Sequence, residues 1–593
     1  MNPCRSLSVI VSRTLLFAAL AATPSASLAA QPADDADAVA GRANALANEF
    51  MFAALARFPE IGTRLGLPFA NHAGITDNSL QSLREFEVQE DAWYDQVATM
   101  EASVLLGRPE YITYGFLREA LEASRQARVC RRELWNVSQL TGWHVNYPDL
   151  AAIQPVGTAQ LREQALTRFG ALDNYVDTEI ENLKEGVRLG YSVPPTNIRR
   201  VIEQVDGMLE PPPAESPFMS PAERDGDDEF RANLEEIVAQ RINPALSRYR
   251  DYLETEYLPV AREDVAVSAL PDGAACYRAA VRAFTTLDAP PREIHQLGLD
   301  QMEVIQAEMQ AIGERSFGTS DVPALLERLR TDPEFTFASR QEIMDYAQAA
   351  VDRSKVAMAD WFGILPEAAV EIEPYPDYEE ASAPGGSYQP AADDGSRPAR
   401  YRIKLFEPHK QSRAGTESTA FHETIPGHHL QIAIAQERRE AHPITRFLGN
   451  SGFSEGWGLY AERLADEMGL FTGDVDRMGL LSNEAFRAAR LVVDTGIHAF
   501  GWSREQAIDY MVSHTAMSRD EVAVEVDRYI VLPGQATAYM LGRQEIMSLR
   551  EMAIRELGDA FNIREFHDRV LEDGAVTLPM LRAKIERWVE EKR

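Results

Sequence analysis

From Ala43 to the C-terminus the apolar residues of this chain recur mostly three or four positions apart, and that period commits it to a helical fold. In residues 290–313, Pro291 opens such a stretch, and Ile294, Leu297, Met302, Ile305, Met309 and Ile312 form its stripe. Another runs from Arg543 to Leu557 and stops at Gly558, a residue suited to closing a helix. Two segments break the period. Residues 211–228 begin with three prolines and carry an acidic run, so an exposed loop is expected there. Residues 372–400 are rich in Pro, Gly, Asp and Tyr and exclude a helix. Tyr401-Arg402-Ile403-Lys404-Leu405 then alternates polar and apolar, which predicts a short strand. The expected class is mainly α: a large multi-helix fold with a small β element.

A chain of 593 residues exceeds what one simple core encloses, so residues 43–593 are expected as a helical domain that either divides into an N-terminal lobe (43–285) and a catalytic lobe (286–593) or runs as one folded unit. Arg5 and Arg13 precede the apolar run Leu15–Ala22, and small residues follow as far as Ala30. That layout is a secretory signal peptide over 1–30, with an uncleaved anchor as the alternative. Residues 31–42 are Ala/Asp-rich and expected to be a flexible leader. No later stretch reads as transmembrane, so stable membrane insertion is not expected after cleavage, and an exported, periplasmic protein is. Cys130 and Cys276 either pair in an oxidising compartment or stay as two buried thiols. The formal net charge of -33 repels nucleic acid and anionic lipid and argues against both as partners.

The chemistry concentrates in His422-Glu423-Thr424-Ile425-Pro426-Gly427-His428-His429. Of the 11 histidines, three fall in this window beside a glutamate. Zinc hydrolases commonly place His-Glu-x-x-His on a helix, with both histidines on the metal and the glutamate activating water. Here the position of the second histidine holds Pro426. On a regular helix His428 would lie about 240° around from His422, and His429 would lie about 10 Å along the axis. An unbroken helix is therefore excluded for either pair. Pro426-Gly427 supplies the break, and a bulge there would carry His428 back toward His422. His429 is the alternative ligand. A third ligand is expected from a following helix. Glu455 sits among small residues and Trp457 in Ser-Glu-Gly-Trp-Gly, and Glu462 follows on nearly the same face. Glu462 either hydrogen-bonds a ligand histidine or pairs with Arg463 on the surface.

His-Glu-Thr-Ile-Pro-Gly-His-His-Leu-Gln (422–431), Ser-Glu-Gly-Trp-Gly-Leu-Tyr-Ala-Glu (454–462) and Pro-Gly-Gln-Ala-Thr-Ala-Tyr (533–539) resemble the bacterial "domain of unknown function 885" family. The Arg490–His498 segment and the closing Phe566-His567 to Leu578-Pro579 stretch fit it too, so the resemblance spans most of the chain from about residue 45. It implies a mainly helical, metallopeptidase-like fold, distantly similar to the thimet oligopeptidase and thermostable carboxypeptidase types. Matching Gly427-His428 to the Gly-His of those relatives makes His428 the second ligand. Ser454-Glu455-Gly456-Trp457 is similar to the Asn-Glu-Gly-Phe stretch of zinc aminopeptidases, which supports Glu455.

The expected enzyme is a zinc metallopeptidase acting on short peptides. His422, His428 and Glu455 hold zinc, and Glu423 is the general base. Tyr539 and His498, with Tyr529 third, are candidates for stabilising the oxyanion. Arg543 is the candidate for binding a substrate carboxylate, and Glu462 supports a ligand histidine. The competing readings are a zinc amidase or esterase using the same residues, and a non-catalytic helical binding protein. A serine hydrolase is disfavoured because no Gly-x-Ser-x-Gly occurs.

Overall fold

The computed structural model describes residues 35–376, Glu380 and residues 383–593. The expected signal peptide lies outside them. The fold is mainly helical with one small sheet. Helix α1 (Ala36–Arg57) starts inside the stretch expected as a flexible leader. Asp35 caps it by accepting from the Asp37 amide, and Val39 and Ala43 are buried on its inner face. The expectation for 31–42 is corrected from Ala36 onward, because apolar burial overrides an Ala/Asp composition. Residues 211–228 are corrected similarly. They include a short helix, Ser220–Asp225, and fully buried Phe218 and Met219. The helix expected from Arg543 begins earlier, at Ala538, and ends at Leu557.

Buried apolar side chains gather in three clusters among the described residues. One joins Trp135, Phe169 and Tyr249 to Ile305, Leu491 and Tyr529. A second joins Phe86, Trp93 and Leu117 to Trp457, Ile546 and Trp588. Both cross residue 285, so the two expected lobes share cores. Cys130 and Cys276 are bonded, S–S 2.13 Å, which ties the turn Arg128–Cys130 to helix α2 (Gly273–Thr285). Helix α3 (Pro291–Ile312) lies along α7 (Asp474–Phe500), and almost every α7 residue from Ala488 to His498 is buried. A helix enclosed on all sides serves as the axis on which its neighbours are placed.

The sheet has the order β1-β3-β2, with β1 (Val370–Pro374) parallel and β2 (Gly386–Gln389) antiparallel to β3 (Ala399–Ile403). On β3, Ala399, Tyr401 and Ile403 are buried in alternation, and Tyr401 and Ile403 join the third apolar cluster, as the alternation predicts. The predicted strand is therefore the middle one, with both edges taken. Of the two edge strands, β2 lies against helix α4 (Thr416–Glu423), and a Cβ at Gly386 would meet Thr419 at 2.9 Å. No helix among the described residues is long and apolar enough to cross a membrane.

Helices α6 (Ser451–Glu467) and α9 (Ala538–Leu557) meet backbone to backbone. A Cβ at Gly542 would stand 1.8 Å from the Gly452 carbonyl oxygen, and one at Gly456 would stand 2.5 Å from Gly542 Cα. Backbone cannot yield as a flexible side chain can. Gly542→Ala is therefore expected to force the helices apart at a cost of about 1–3 kcal/mol or more. A thermal melt of the variant, several degrees below the wild type, is the expected result.

Candidate metal centre

The His/Glu segment folds as two helices. Helix α4 ends at Glu423, and α5 (His428–Glu437) begins at His428. Thr424 leaves helical geometry at φ -110°, ψ -116°, the Ile425–Pro426 peptide is cis, and Gly427 lies at φ -85°, ψ -129°. The expected bulge is thus a complete interruption. Gly427 folds back onto the end of α4, where a Cβ would meet the His422 carbonyl oxygen at 2.0 Å. Trp457, fully buried on α6, donates its indole N–H to the Pro426 carbonyl at 2.9 Å and fastens the turn. The reversal brings the ring centroids of His422 and His428 to 4.6 Å, nearly perpendicular at 84°.

His422 lies across α6 at Gly458, where a Cβ would stand 2.6 Å from its ring. Glu455 and Glu462 flank that glycine on the same helix. The His422 Nδ1–H donates to Glu462 Oε1 at 2.8 Å, and its Nε2 faces Glu455 Oε2 at 3.5 Å. Glu462 is fully buried, accepts from the Ser418 hydroxyl, and has Arg487 at 3.7 Å. It orients His422 and does not pair with Arg463, which bonds to Glu308 and Glu484 instead. Ser418 and Gly458 escaped the sequence reading. Their signal was position: Ser418 is one turn before His422, and Gly458 is the small residue between two glutamates on one face.

His428 Nε2 stands 3.4 Å from the same Glu455 oxygen. One donor atom from each of His422, His428 and Glu455 lies within 4.8 Å of the others. Donors about 2.0–2.1 Å from a shared tetrahedral zinc ion stand roughly 3.3 Å apart, so the measured spacings fit such an ion. His428 Nδ1 is buried without a partner, so nothing takes the Nδ1 proton of the tautomer that presents its Nε2 lone pair. His429 turns away from the group. Its Nε2–H donates to the Ala368 carbonyl at 2.9 Å, and its Nδ1 accepts from the Tyr388 hydroxyl at 3.1 Å. Glu437, also on α5, accepts from the amides of Glu367 and Ala368, so α5 clamps the chain entering β1.

The electrostatics are those of a cation-seeking site. Burial opposes a charge on His422, but Glu455 and Glu462 outweigh it and raise the imidazole to about 9. Burial also opposes ionised Glu455, yet His422 and His428 hold it well below the usual carboxylate range. Burial is likewise overcome at Glu462, by Arg487 first and then by His422 and Ser418. In the metal-free protein the His422 proton therefore stands where a cation's charge would.

The other predicted residues divide. Glu423 is 9% exposed, and its carboxylate is engaged by no hydrogen bond or ion pair among the described residues. Tyr539 is half-buried beside the group: burial, then the charge of Glu455, pushes its phenol up. His498 is not part of the site. It accepts from the Val267 amide, donates to the Tyr529 carbonyl at 3.1 Å, and burial lowers it to about 3. The Tyr529 hydroxyl is already engaged, donating to Glu525 at 2.8 Å. Arg543 is not free for a substrate carboxylate. It is buried and ion-paired with Glu484 at 2.9 Å, while Glu484 also holds Arg463.

Two outcomes follow for metal binding. His428→Gln is expected to weaken zinc affinity by more than about 100-fold, the upper range for losing a mere supporting hydrogen bond, whereas His429→Gln keeps it. Equilibrium titration against a competing chelator measures both. Because His422 is raised to about 9, it is protonated at pH 7 and must lose that proton to ligate. Zinc uptake at pH 7 is expected to release about one proton, and the release to fall toward zero as pH rises past the His422 value. Calorimetry in buffers of different ionisation enthalpy reads that number.

Several known proteins share this architecture. A crystal structure described as a putative lipoprotein from Colwellia psychrerythraea is 26% identical and superposes with a TM-score of 0.87, covering 93% of this chain and 100% of its own. A putative lipoprotein of unknown function from Shewanella oneidensis, 16% identical, shares the fold with a TM-score of 0.71 over 91% of this chain and 98% of its own. No curated protein matches the chain. The sequence profile described as "Bacterial protein of unknown function (DUF885)" matches residues 59–585, and the chain belongs to that family.

Proposed function

We propose that this chain is an exported, zinc-dependent hydrolase of peptide bonds. The observation that carries the reading is the convergence of His422 Nε2, His428 Nε2 and Glu455 on one point, with unpaired Glu423 next to His422 in the chain. His422, His428 and Glu455 would hold zinc there, and the ion would supply Lewis acidity and a lowered pKa for water. Glu423 takes the proton of the attacking water and passes it to the leaving amine, a role that needs a carboxylate free of partners. Tyr539 donates its hydroxyl proton in a hydrogen bond to the oxygen on which charge develops. Its hydroxyl makes no hydrogen bond among the described residues, and burial followed by the charge of Glu455 keeps it protonated. Glu462 keeps His422 in the tautomer that presents Nε2.

Peptide is favoured as substrate by the sheet beside α4. An extended chain adding to the edge strand β2 would be held by backbone hydrogen bonds, which suit peptides rather than small esters. Export to the periplasm accords with the Cys130–Cys276 disulfide and with the lipoprotein descriptions of the two similar structures.

Wild-type protein is expected to contain about one tightly held zinc ion per chain, as a three-ligand site should. Glu423→Gln is expected to keep that metal and to lower kcat by about 10²–10⁴-fold, the usual worth of a positioned general base. Mass-spectrometric mapping of cuts in a mixed peptide library, with metal analysis of the same samples, reads both. Full activity in the variant would remove Glu423 from its role. A zinc-loaded wild type that cleaves aryl esters and small amides but no peptide would replace the peptidase with an amidase or esterase.

A further inference from the structure

Helix α7 carries three buried polar residues one turn apart: Arg490, Asp494 and His498. All three read the segment that runs from α8 (Arg519–Val531) into α9. His498 donates to the Tyr529 carbonyl at 3.1 Å. Asp494 accepts from the Gly534 amide at 3.1 Å and from the Tyr277 hydroxyl at 2.6 Å. Gly534, at φ +82°, opens the turn that leads into α9 and Tyr539. Arg490 reaches Tyr539 itself, its guanidinium carbon 4.5 Å from the phenol ring centroid and 4.0 Å from that of Phe486.

The guanidinium is held in a closed ring of hydrogen bonds. Arg490 Nε donates to the Tyr529 hydroxyl at 3.0 Å, that hydroxyl donates to Glu525 at 2.8 Å, and Arg490 NH2 donates to the same carboxylate at 3.1 Å. Burial pushes the Glu525 carboxyl up, but Arg528 and Arg490 hold it at about 2, so the ring stays closed across the physiological range. A planar group fixed along one edge offers a fixed surface to the phenol ring beside it. Among the described residues Tyr539 has no hydrogen bond to set its direction, so its orientation comes from packing, in which the Arg490 guanidinium lies against its ring.

The geometry points to Arg490 as the positioning residue for Tyr539, fixing the phenol so that its hydroxyl meets the developing oxyanion. The inference rests on the hydrolase reading for its catalytic consequence, but the packing it describes is independent of it. A residue that acts only through another is revealed by non-additivity. Arg490→Lys keeps the buried charge but loses the planar fork. It is expected to lower kcat about tenfold with KM within about twofold in wild type, and to cost less than about twofold when Tyr539→Phe is already present. Equal costs in the two backgrounds would overturn the inference, because a structural defect would act in both. A second measurement needs no activity. With 3-fluorotyrosine at position 539, the zinc-loaded wild type is expected to give one narrow fluorine resonance, shifted and broadened in Arg490→Lys. An unchanged resonance would overturn the inference as well. A zinc-loaded wild type without hydrolase activity would count against the proposed function alone, and the fluorine experiment would still decide the role of Arg490.

Discussion

Everything at the centre of this molecule depends on how one imidazole is gripped. His422 lies on the backbone of α6 at Gly458, with Glu462 on its Nδ1 and Glu455 facing its Nε2. Two carboxylates, fully buried Glu462 and part-buried Glu455, stand against two buried histidines. Burying each such charge costs several kcal/mol unless it is compensated. Ser418 and Arg487 compensate Glu462. Glu455 is compensated by the two histidines that face it, His422 at 3.5 Å and His428 at 3.4 Å, and they hold its carboxyl well below the usual range. His422 also lies in the last turn of α4, where the negative end of the helix dipole favours a positive charge. Positive charge at this point balances the buried carboxylates; under the proposed function a metal ion would supply it and engage all three donors at once.

The Pro-Gly interruption gives that grip its second arm. Two histidines on one helix are locked by the 3.6-residue period, and their separation cannot be adjusted. Breaking the helix after Glu423 removes that lock and makes the His422–His428 separation a property of the turn and of what holds it. Gly427 is pressed onto the end of α4, and Trp457 of α6 holds the Pro426 carbonyl. The helix that supplies Glu455 and Glu462 therefore also fixes the turn that delivers His428.

Much of this was readable from the chain alone, for reasons that differ by residue. The stripe of 290–313 and the strand at 401–403 are local periodicities, and local periodicity survives into the fold. The meeting of His422 and His428 is legible because their spacing is a short-range pattern, that of Glu455 with them because of its small neighbours, and His429 is set apart only by its partners Ala368 and Tyr388. His498 and Arg543 misled because their partners are remote. Val267 lies 231 residues before His498, and Glu484 is joined to Arg543 across two different helices. A histidine or arginine in a site motif looks functional until the residue that satisfies it is seen. The leader and the 211–228 segment were misread for the opposite reason: polar composition hid single apolar side chains, Val39, Phe218 and Met219, that a distant surface buries.

The polar stripe of α7 explains why a helix enclosed on every side is not wholly apolar. Apolar surfaces attract without direction, so α8 and α9 could slide along an all-apolar α7 with little change in energy. Arg490, Asp494 and His498 each accept one alignment only, because a buried polar group left unpaired costs about 1–3 kcal/mol. A shift of α9 along α7 would unpair Asp494 from Gly534 and separate Arg490 from Tyr539. The same α9 is locked to α6 by the contact of Gly542 with Gly452 and Gly456, next to Glu455. Glu455 and Tyr539 therefore stand on two helices whose relative height is set twice, by backbone contact on one side and by directional hydrogen bonds on the other. That double constraint lets a donor set assembled from α4, α5 and α6, with Tyr539 from α9, hold its spacing in a chain of this length.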